Sequence, residues 1–266
     1  MSATTGRPES AQRVVLHLPE WAPRQARRMA HVLRPAVPPE PAAFDPDSLA
    51  DLPEPARRWL THAIVPGAPI AHRAELQMHG EIRLGRHWHA FTAEQLLMPE
   101  SGFVWAARTN VGHLPISGFD GYAAGVGLMR WRMLGLPVQA DTGADVTLSA
   151  LDRLAAEATL LPTSLVGATW RPGPDADTAV YAHHVTGRHA RSHVTIRVTP
   201  DGRLQRVTMR RWAAPDGHRY RLHTFVVEFD AEFDAGTMLV PDGISANWAD
   251  AGGEFFRAEL DRVTFE

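Results

Sequence analysis

The alternation of apolar and polar residues between positions 74 and 84 is the clearest pattern in the chain. Apart from one glycine, every second position is apolar: Leu76, Met78, Ile82 and Leu84. Successive side chains of a strand point to opposite faces, so this spacing predicts a strand with one buried face. Gly85 and Arg86 follow at once, and they predict a two-residue hairpin turn into a return strand over residues 87–97.

Further strands are predicted along most of the remaining chain. Their expected ranges are 103–109, 119–134, 179–186, 192–199, 203–212, 219–230 and 254–265. Glycines within 119–134 indicate a bend, a bulge or the close approach of another element. The tripeptide Pro200-Asp201-Gly202 is a strong turn signal between two strands. Because consecutive hairpins lack intervening helices, the sheet is predicted to be antiparallel.

Two helical segments are predicted before the strands. Residues 20–34 have an amphipathic pattern whose apolar members are Trp21, Met29, Val32 and Leu33. A proline-rich connector, residues 35–46, cannot sustain a helix or a central strand. Residues 53–64 then suit a second helix, which begins with proline and carries an apolar side formed by Trp59, Leu60 and Ile64.

One more helix is predicted inside the strand region, near residues 149–161. The spacing Ser149-x-x-Asp152 resembles a capping box, in which side chains at the start of a helix bond its free backbone N–H groups. A narrow apolar stripe follows at Leu151, Leu154, Ala155 and Ala158. Together the elements predict an α+β fold: an N-terminal helical arm, then a curved antiparallel sheet (a half-barrel or open barrel) with one inserted helix.

The same pattern predicts how the chain is divided and where a ligand would lie. Residues 1–50 are expected to form an N-terminal extension, and residues 51–266 a single β-rich domain. A sheet of this size curls, and its concave face is expected to enclose a cavity.

Charge and composition exclude several classes of function. The net charge of −3 provides no basic field, so nucleic acid is not an expected partner. No run approaches the roughly 18 apolar residues of a membrane span, and residues 1–10 lack the apolar core of a signal peptide. We therefore expect a cytoplasmic protein.

The absence of cysteine and lysine excludes further chemistries. All 27 residues counted as lysine or arginine are arginine. Thiol nucleophiles, disulfides and thiolate metal sites are therefore excluded, as are Schiff-base catalysis and a lysine-held cofactor. Reactive chemistry is left to histidine, carboxylates, hydroxyl groups and arginine, and no cofactor is expected.

Several short motifs occur together in a fixed order. They include Phe91-x-Ala93-Glu94-Gln95, Phe103-x-Trp105-x-Ala107, Asp120-x-Tyr122-x-x-Gly125-x-Gly127 and Leu151-x-Arg153-Leu154-x-Ala156-Glu157. Their order and spacing resemble an uncharacterised bacterial domain-of-unknown-function family, over about residues 52–265. The resemblance implies a curved antiparallel sheet with a helical insert, loosely similar to lipoprotein-carrier half-barrels. It implies no activity and no catalytic residues.

Carboxylates on strands that otherwise look buried form the first candidate site. Glu94 and Asp120 lie on such strands, and a core strand avoids a carboxylate unless it is paired or lines a cavity. The candidate group also contains Tyr122, Arg153, Glu157 and Arg210. The alternative is that the arginines neutralise the carboxylates as structural pairs that anchor the helix on the sheet.

Aromatic residues supply the expected walls of a ligand site. The predicted substrate-binding residues are Trp88, Phe91, Phe103, Trp105, Arg153, Glu157 and Trp248. Large flat rings suit an apolar ligand, although rings of this kind also simply fill the core of a curved sheet. If the protein is an enzyme, the predicted catalytic residues are Glu94, Asp120, Tyr122 and Arg210, with a carboxylate as acid or base.

Histidine is abundant, and one pair has a metal-like spacing. His87 and His89 lie on one strand face, a spacing that can hold a metal. The sequence contains neither a HExxH run nor an evident pattern of two histidines and one carboxylate, so no metal site is expected. Four further histidines flank a predicted hairpin turn and are expected to be solvated: His183, His184, His189 and His193.

Three classes of function remain. The leading prediction is binding of an apolar or amphipathic small molecule in the cavity of the curved sheet. The alternative is a cofactor-independent cyclase, isomerase or lyase that acts on a hydrophobic natural-product intermediate through positioning and electrostatic stabilisation. The third is a structural or oligomeric module that needs no pocket, and a homodimer is left open.

Overall fold

The computed structural model describes residues 14–34, 42–186, 191–215, 217 and 219–266. Within these ranges the chain forms three α-helices: α1 (Arg24–Val32), α2 (Glu54–Ala63) and α3 (Ala144–Glu157). Short 3-10 segments lie at Pro46–Leu49, Ala158–Leu160 and Pro162–Leu165. None of the described helices combines the length and the apolar character that crossing a bilayer requires.

The described residues also form thirteen strands. They are β1 (Ala74–Leu84), β2 (His87–Met98), β3 (Gly102–Val111), β4 (Leu114–Ala123), β5 (Val126–Met133), β6 (Leu136–Thr142), β7 (Thr169–Pro172), β8 (Thr178–His184), β9 (Arg191–Val198), β10 (Leu204–Ala213), β11 (Arg221–Asp234), β12 (Leu239–Trp248) and β13 (Gly253–Phe265).

These strands make one antiparallel sheet in the order β6-β5-β4-β3-β2-β1-β13-β12-β11-β10-β9-β8-β7. Neighbours in the sheet are neighbours in sequence except where β1 pairs with β13, so β6 and β7 are the two edges. Helix α3 links the edges and contacts β3, β4, β5 and β6 on one side and β9 and β10 on the other. Such a large twisted sheet curls, and the predicted α+β fold with an open, curved antiparallel sheet and one inserted helix is confirmed.

The sheet is covered on both faces. We call the face that packs against α2 and α3 the inner face, and the face that packs against α1 the outer face. The inner core includes Trp59, Leu60, Leu76, Phe103, Tyr122 and Leu154. A second, smaller core on the outer face includes Ala26, Met29, Leu33, Leu96, Val104 and Phe119. Burial of this apolar surface is the main stabilising contribution to the fold.

The N-terminal segment is held on the outer face by tryptophan as well as by the helix. The ring of Trp21 lies 5.9 Å from that of Phe119, and its Nε1 donates to Ser117 Oγ over 3.2 Å. The guanidinium of Arg132 lies 4.7 Å above the same ring. The apolar side predicted for residues 20–34 is only partly buried, because Val32 remains 55% exposed.

The sequence-predicted turns at glycine are confirmed in two places. Leu84 pairs with His87 across a two-residue turn in which Gly85 has φ +64°. Gly202, in the turn between β9 and β10, has φ +96°, a conformation that glycine adopts without a Cβ penalty.

The prediction of one continuous strand over residues 119–134 is wrong, because this segment contains the turn between β4 and β5. The strands β4 and β5 turn at Ala124 and Gly125, which have φ +51° and +84°. Alanine is uncommon at positive φ, so only Gly125 of these two residues indicated a turn in the sequence. The turn between β5 and β6 likewise has a non-glycine residue, Leu134, and a glycine, Gly135, at positive φ. Strand β6 was not predicted.

Strand β12 was also missed, since it contains Pro241, Asp242 and Gly243, which are typical of turns. Its pairing with β13 begins only at Ile244, so the proline removes no hydrogen bond from that ladder. The Asp242 carboxylate accepts instead from the backbone N–H of Leu260 over 3.0 Å. Strand β7, of four residues, was not predicted either.

Helix α3 begins at Ala144, five residues before the predicted capping box. Its N-cap is Gly143, with φ +114° and no side-chain cap, so the capping role of Ser149 and Asp152 is wrong. Asp152 lies inside the helix and accepts from the backbone N–H of Trp212 and from Ser192 Oγ, each over 2.7 Å. It therefore connects α3 to β9 and β10.

Gly127 lets α3 approach the sheet closely. A Cβ atom at this position would lie 2.7 Å from the Cα of Thr147, which no side chain could tolerate without a backbone shift. The backbone N–H of Gly127 donates to Thr147 Oγ1 over 3.0 Å. The expectation that a strand glycine marks close approach of another element is confirmed here.

Candidate functional site

Arg153 is the centre of a charged network on the inner face. Its Nε donates to Glu157 Oε1, one helical turn along α3, over 2.6 Å. Its Nη1 donates to Asp120 Oδ2 on β4 over 3.1 Å. The remaining oxygens are used as well: Asp120 Oδ1 accepts from Trp131 Nε1 over 3.1 Å, and Glu157 Oε2 from Gln95 Nε2 over 2.7 Å. The network therefore ties α3 to β2, β4 and β5.

Burial and the sharing of one guanidinium set the electrostatics of this network. Burial raises the pKa of Asp120 above its ordinary value, although Arg153 and the hydrogen bond from Trp131 oppose the change. The negative charge of Glu157 also raises the pKa of Asp120, because it repels a second negative charge close by. Burial opposes ionisation of Arg153 too, but Glu157 and Asp120 outweigh it and hold the pKa of that guanidinium above its usual range.

Aromatic rings continue from this network across the inner face. The rings of Phe103 and Trp105 lie 4.8 and 5.0 Å from the guanidinium carbon of Arg153. Together with Trp105, six further residues of the inner core form what we call the aromatic layer: Phe91, Trp131, Phe225, Trp248, Phe255 and Phe256. The layer thus extends over strands β2, β3, β5, β11, β12 and β13.

Ring contacts within the aromatic layer are close. Trp105 lies 5.8 Å from both Phe91 and Trp131, and Phe91 stacks on Phe256 at 5.1 Å. On the other side of the layer, Trp248 stacks on Phe255 at 5.6 Å. Three members, Trp131, Phe255 and Phe256, are only half-buried, so the layer presents apolar surface that no described residue covers.

Gly118 fixes the position of the Trp131 ring. A Cβ atom on Gly118 would lie 2.2 Å from Trp131 Cδ2 and 2.4 Å from its Cε3. The indole therefore lies directly over the β4 backbone, where it reaches Asp120. The absence of a side chain at Gly118 is what permits this arrangement.

Arg211, on β10, is the second arginine of the inner face. Its guanidinium carbon lies 4.8 Å from the ring of Phe225 and 5.3 Å from that of Trp248. Burial, followed by repulsion from the charge of Arg153, lowers the pKa of Arg211 to about 10. Among the described residues no carboxylate lies within 4.0 Å of it, and its Nε has no hydrogen-bond partner.

Most of the residues predicted for a site lie together on the inner face. These are Phe91, Phe103, Trp105, Asp120, Tyr122, Arg153, Glu157 and Trp248. Tyr122 is only 1% exposed, so its ring belongs to the packed part of the core. Arg153 pairs with both Asp120 and Glu157. This is the arrangement expected if the arginine neutralises the carboxylates and anchors the helix on the sheet.

Three of the predicted residues lie on the outer face instead. Glu94 accepts from the backbone N–H of His17 over 2.5 Å, Arg210 donates to Thr224 Oγ1 and to a backbone carbonyl, and Trp88 lies beneath Arg257. Side chains alternate along a strand, so a shift of one position changes the face. The inner-face neighbours of Glu94 and Arg210 are Gln95 and Arg211.

Sequence reasoning missed Gln95, Arg211 and Phe256 as site residues. The signal for Arg211 was present, because Val207, Met209 and Ala213 are apolar at the same alternation and all three are buried. The neighbouring Arg210 was chosen as the site residue instead of Arg211. Phe256 follows a bulge at Phe255, where the register between β12 and β13 shifts, and a bulge interrupts the alternation.

The histidines are placed differently from the expectation. His183 is buried, not solvated, and burial lowers its pKa to about 4. His184 and His193 are exposed, whereas His189 lies outside the described residues. His89 Nδ1 lies 3.0 Å from the carbonyl oxygen of Asn110. Within the described ranges, no three histidine, aspartate or glutamate side chains are grouped as a metal site would need.

A groove of about 670 Å³ opens beside Trp248, away from the charged network. Its lining is largely polar and consists of residues 249–253 with Glu228, Ser245, Asn247, Trp248 and Glu254. Glu228 pairs with Arg206 and Glu254 with Arg257, so these carboxylates already have partners. An apolar molecule would find little suitable surface there, and the aromatic layer is the better candidate.

A comparison with protein families matches residues 42–260 of the chain to a family of unknown function, DUF6544. The chain belongs to this family. The resemblance inferred from the order of its motifs is thereby confirmed. No curated protein matches the sequence at a significant level.

Solved structures to which this chain is similar include those of two bacterial proteins. A LolA superfamily protein from Nitrosomonas europaea is 10% identical, with a TM-score of 0.44, and the match covers 80% of this chain and 92% of the other. A DUF1329 family protein from Desulfovibrio piger is 9% identical, with a TM-score of 0.42, and the match covers 74% and 86% of the two chains.

Proposed function

We propose that this DUF6544 protein binds an apolar or amphipathic small molecule against the aromatic layer of its inner face. The observation that carries the proposal is the half-buried state of Trp131, Phe255 and Phe256 within a layer whose other rings are buried. Small-molecule sites are mostly apolar and aromatic, with a few polar groups that fix orientation. Arg153 and Arg211 are such groups at the edge of the layer.

Preorganisation supports the same proposal. Trp131 is held by Gly118 on one side and by its hydrogen bond to Asp120 on the other. A ring that is already fixed loses little conformational entropy when a ligand covers it. The apolar area of the ring is then available for binding.

A cofactor-independent cyclase, isomerase or lyase is the second candidate. The raised pKa of Asp120 favours it, because a general acid or base works best with a pKa near the working pH. Both oxygens of Asp120 nevertheless accept hydrogen bonds, from Trp131 and Arg153. A proton would have to replace one of these donors, so binding is the function that the geometry supports better.

The proposal is tested by fluorescence titration with N-phenyl-1-naphthylamine, an uncharged apolar probe. We expect saturable binding, and Trp131→Ala should weaken it about tenfold. Phe256→Ala, at another point of the layer, should act in the same direction and gives an independent measurement. Circular dichroism establishes that each variant is folded.

Trp88→Ala is the matched control, because Trp88 is a half-buried tryptophan of the outer face. It should leave the affinity for the probe unchanged. Failure of the wild-type protein to bind the probe would refute the proposal. Equal loss in Trp88→Ala and Trp131→Ala would place the binding surface elsewhere.

A further inference from the structure

Arg211 has an unusual position for a charged residue. Its guanidinium carbon lies 4.8 Å from the ring of Phe225 and 5.3 Å from that of Trp248, its Nε is buried, and no described carboxylate approaches within 4.0 Å. Removing a cation from water without a counter-ion is costly, and proteins normally supply the partner. Within the described part of the chain the three nearby carboxylates are already engaged, Asp120 and Glu157 with Arg153 and Asp152 with Trp212 and Ser192.

A second unpartnered donor lies near the same arginines. Trp105 is 3% exposed, and its buried Nε1 has no acceptor among the described residues. Arg153 lies over the Trp105 ring, and its charge contributes to the lowered pKa of Arg211. Two buried N–H groups close to Arg153 on the inner face therefore lack an acceptor among the described residues.

We propose that the ligand of the aromatic layer carries a carboxylate, and that Arg211 binds this group. The inference rests on the proposed function and specifies its ligand class: a monocarboxylate amphiphile whose apolar body covers Trp131 and Phe256. A carboxylate has only acceptors, and the planar guanidinium fork matches its two oxygens. The rings of Phe225 and Trp248 both contact the guanidinium and restrict its movement before binding.

The test compares three ligands with the same ten-carbon chain: decanoate, methyl decanoate and 1-decanol. Each displaces N-phenyl-1-naphthylamine from the wild-type protein in a competition titration. We expect decanoate to bind at least about tenfold more tightly than the ester, since the ester keeps acceptor oxygens but has no charge. The alcohol should bind no better than the ester.

Arg211→Met should reduce the preference for decanoate over the ester to near one. The ratio is measured within one protein, so a general loss of affinity does not affect it, and Arg211→Gln serves if the methionine variant fails to fold. Arg210→Met is the matched control, because Arg210 is the exposed neighbour on the outer face. The control should keep the full preference.

The outcomes separate this inference from the proposed function. If the wild-type protein binds the probe but all three ligands equally well, the carboxylate assignment is wrong and the apolar site remains. If Arg210→Met and Arg211→Met lose the preference equally, Arg211 is not the recognising residue. If the probe itself does not bind, the proposed function fails and the inference fails with it.

Discussion

Asp120 and Arg153 are 33 residues apart in sequence, yet Oδ2 of the first accepts a hydrogen bond from Nη1 of the second over 3.1 Å. One belongs to a strand in one half of the sheet and the other to the helix that joins the two sheet edges. The pair therefore forms only when α3 lies across the inner face. Because Arg153 also binds Glu157, one cation is shared by two acids.

The shared cation gives a prediction about pH. The pKa of Asp120 is raised in the folded state above its ordinary value of 3.8, so the folded protein binds a proton there more readily than the unfolded chain does. Stability must then fall as pH rises from that ordinary value through the raised pKa. Asp120→Asn removes this titration. We expect the free energy of unfolding of the wild type to fall relative to that of the variant as pH rises, measured by urea denaturation from acid pH to neutrality.

The opposite trend would show that Arg153 dominates over burial. In that case the wild type would gain stability relative to Asp120→Asn as pH rises, and the direction assigned to the Asp120 pKa would be wrong. Comparing the two proteins at each pH cancels the titration of every other group to first order.

The contact between Gly118 and Trp131 gives a second prediction. Gly118→Ala places a Cβ inside the space of the indole, so the ring must move or the strand must bend. Overpacking of this kind costs about 1–3 kcal/mol, and the tryptophan emission should shift as the ring moves. Gly167→Ala is the control, since a Cβ there would meet no atom within 4 Å, and it should change stability by less than about 0.5 kcal/mol.

Asp152 provides a test of how α3 is attached to the sheet. Asp152→Ala leaves the backbone N–H of Trp212 without its acceptor and should destabilise the protein by about 1–3 kcal/mol. Asp145→Ala removes a more exposed hydrogen bond, to Trp212 Nε1, and should cost less than about 1 kcal/mol. Equal effects in thermal denaturation would contradict the anchoring role of Asp152.

Glu94 gives a prediction that separates the two faces of the sheet. Glu94→Gln weakens the contact with His17, whose side chain is 60% exposed, so global stability should change by less than about 1 kcal/mol. Hydrogen exchange should become faster in residues 14–34 on the outer face. Affinity for an apolar probe should stay the same. A marked loss of affinity would mean that Glu94 contributes to the binding site after all.

The alternation of residues could not tell the two faces apart, and β2 shows why. Phe91 and Leu97 lie on its inner side and Leu96 on its outer side, so both sides carry buried apolar residues. Both faces are covered, the outer one by α1, and a strand buried on both faces has no polar side to mark it. Glu94 was therefore predicted for the wrong face, and Arg210 was chosen over Arg211 for a similar reason.

By itself the sequence determined the α+β class, the antiparallel hairpins at Gly85 and Gly202, the inserted helix and membership of the family. These features depend on local signals: alternation, turn residues and the order of short motifs. Only the tertiary structure decided which charges meet, that no described carboxylate pairs with Arg211, and which rings stay half-buried. The pairing of β1 with β13 and the path of α3 between the sheet edges bring distant residues together, and no local pattern records such contacts.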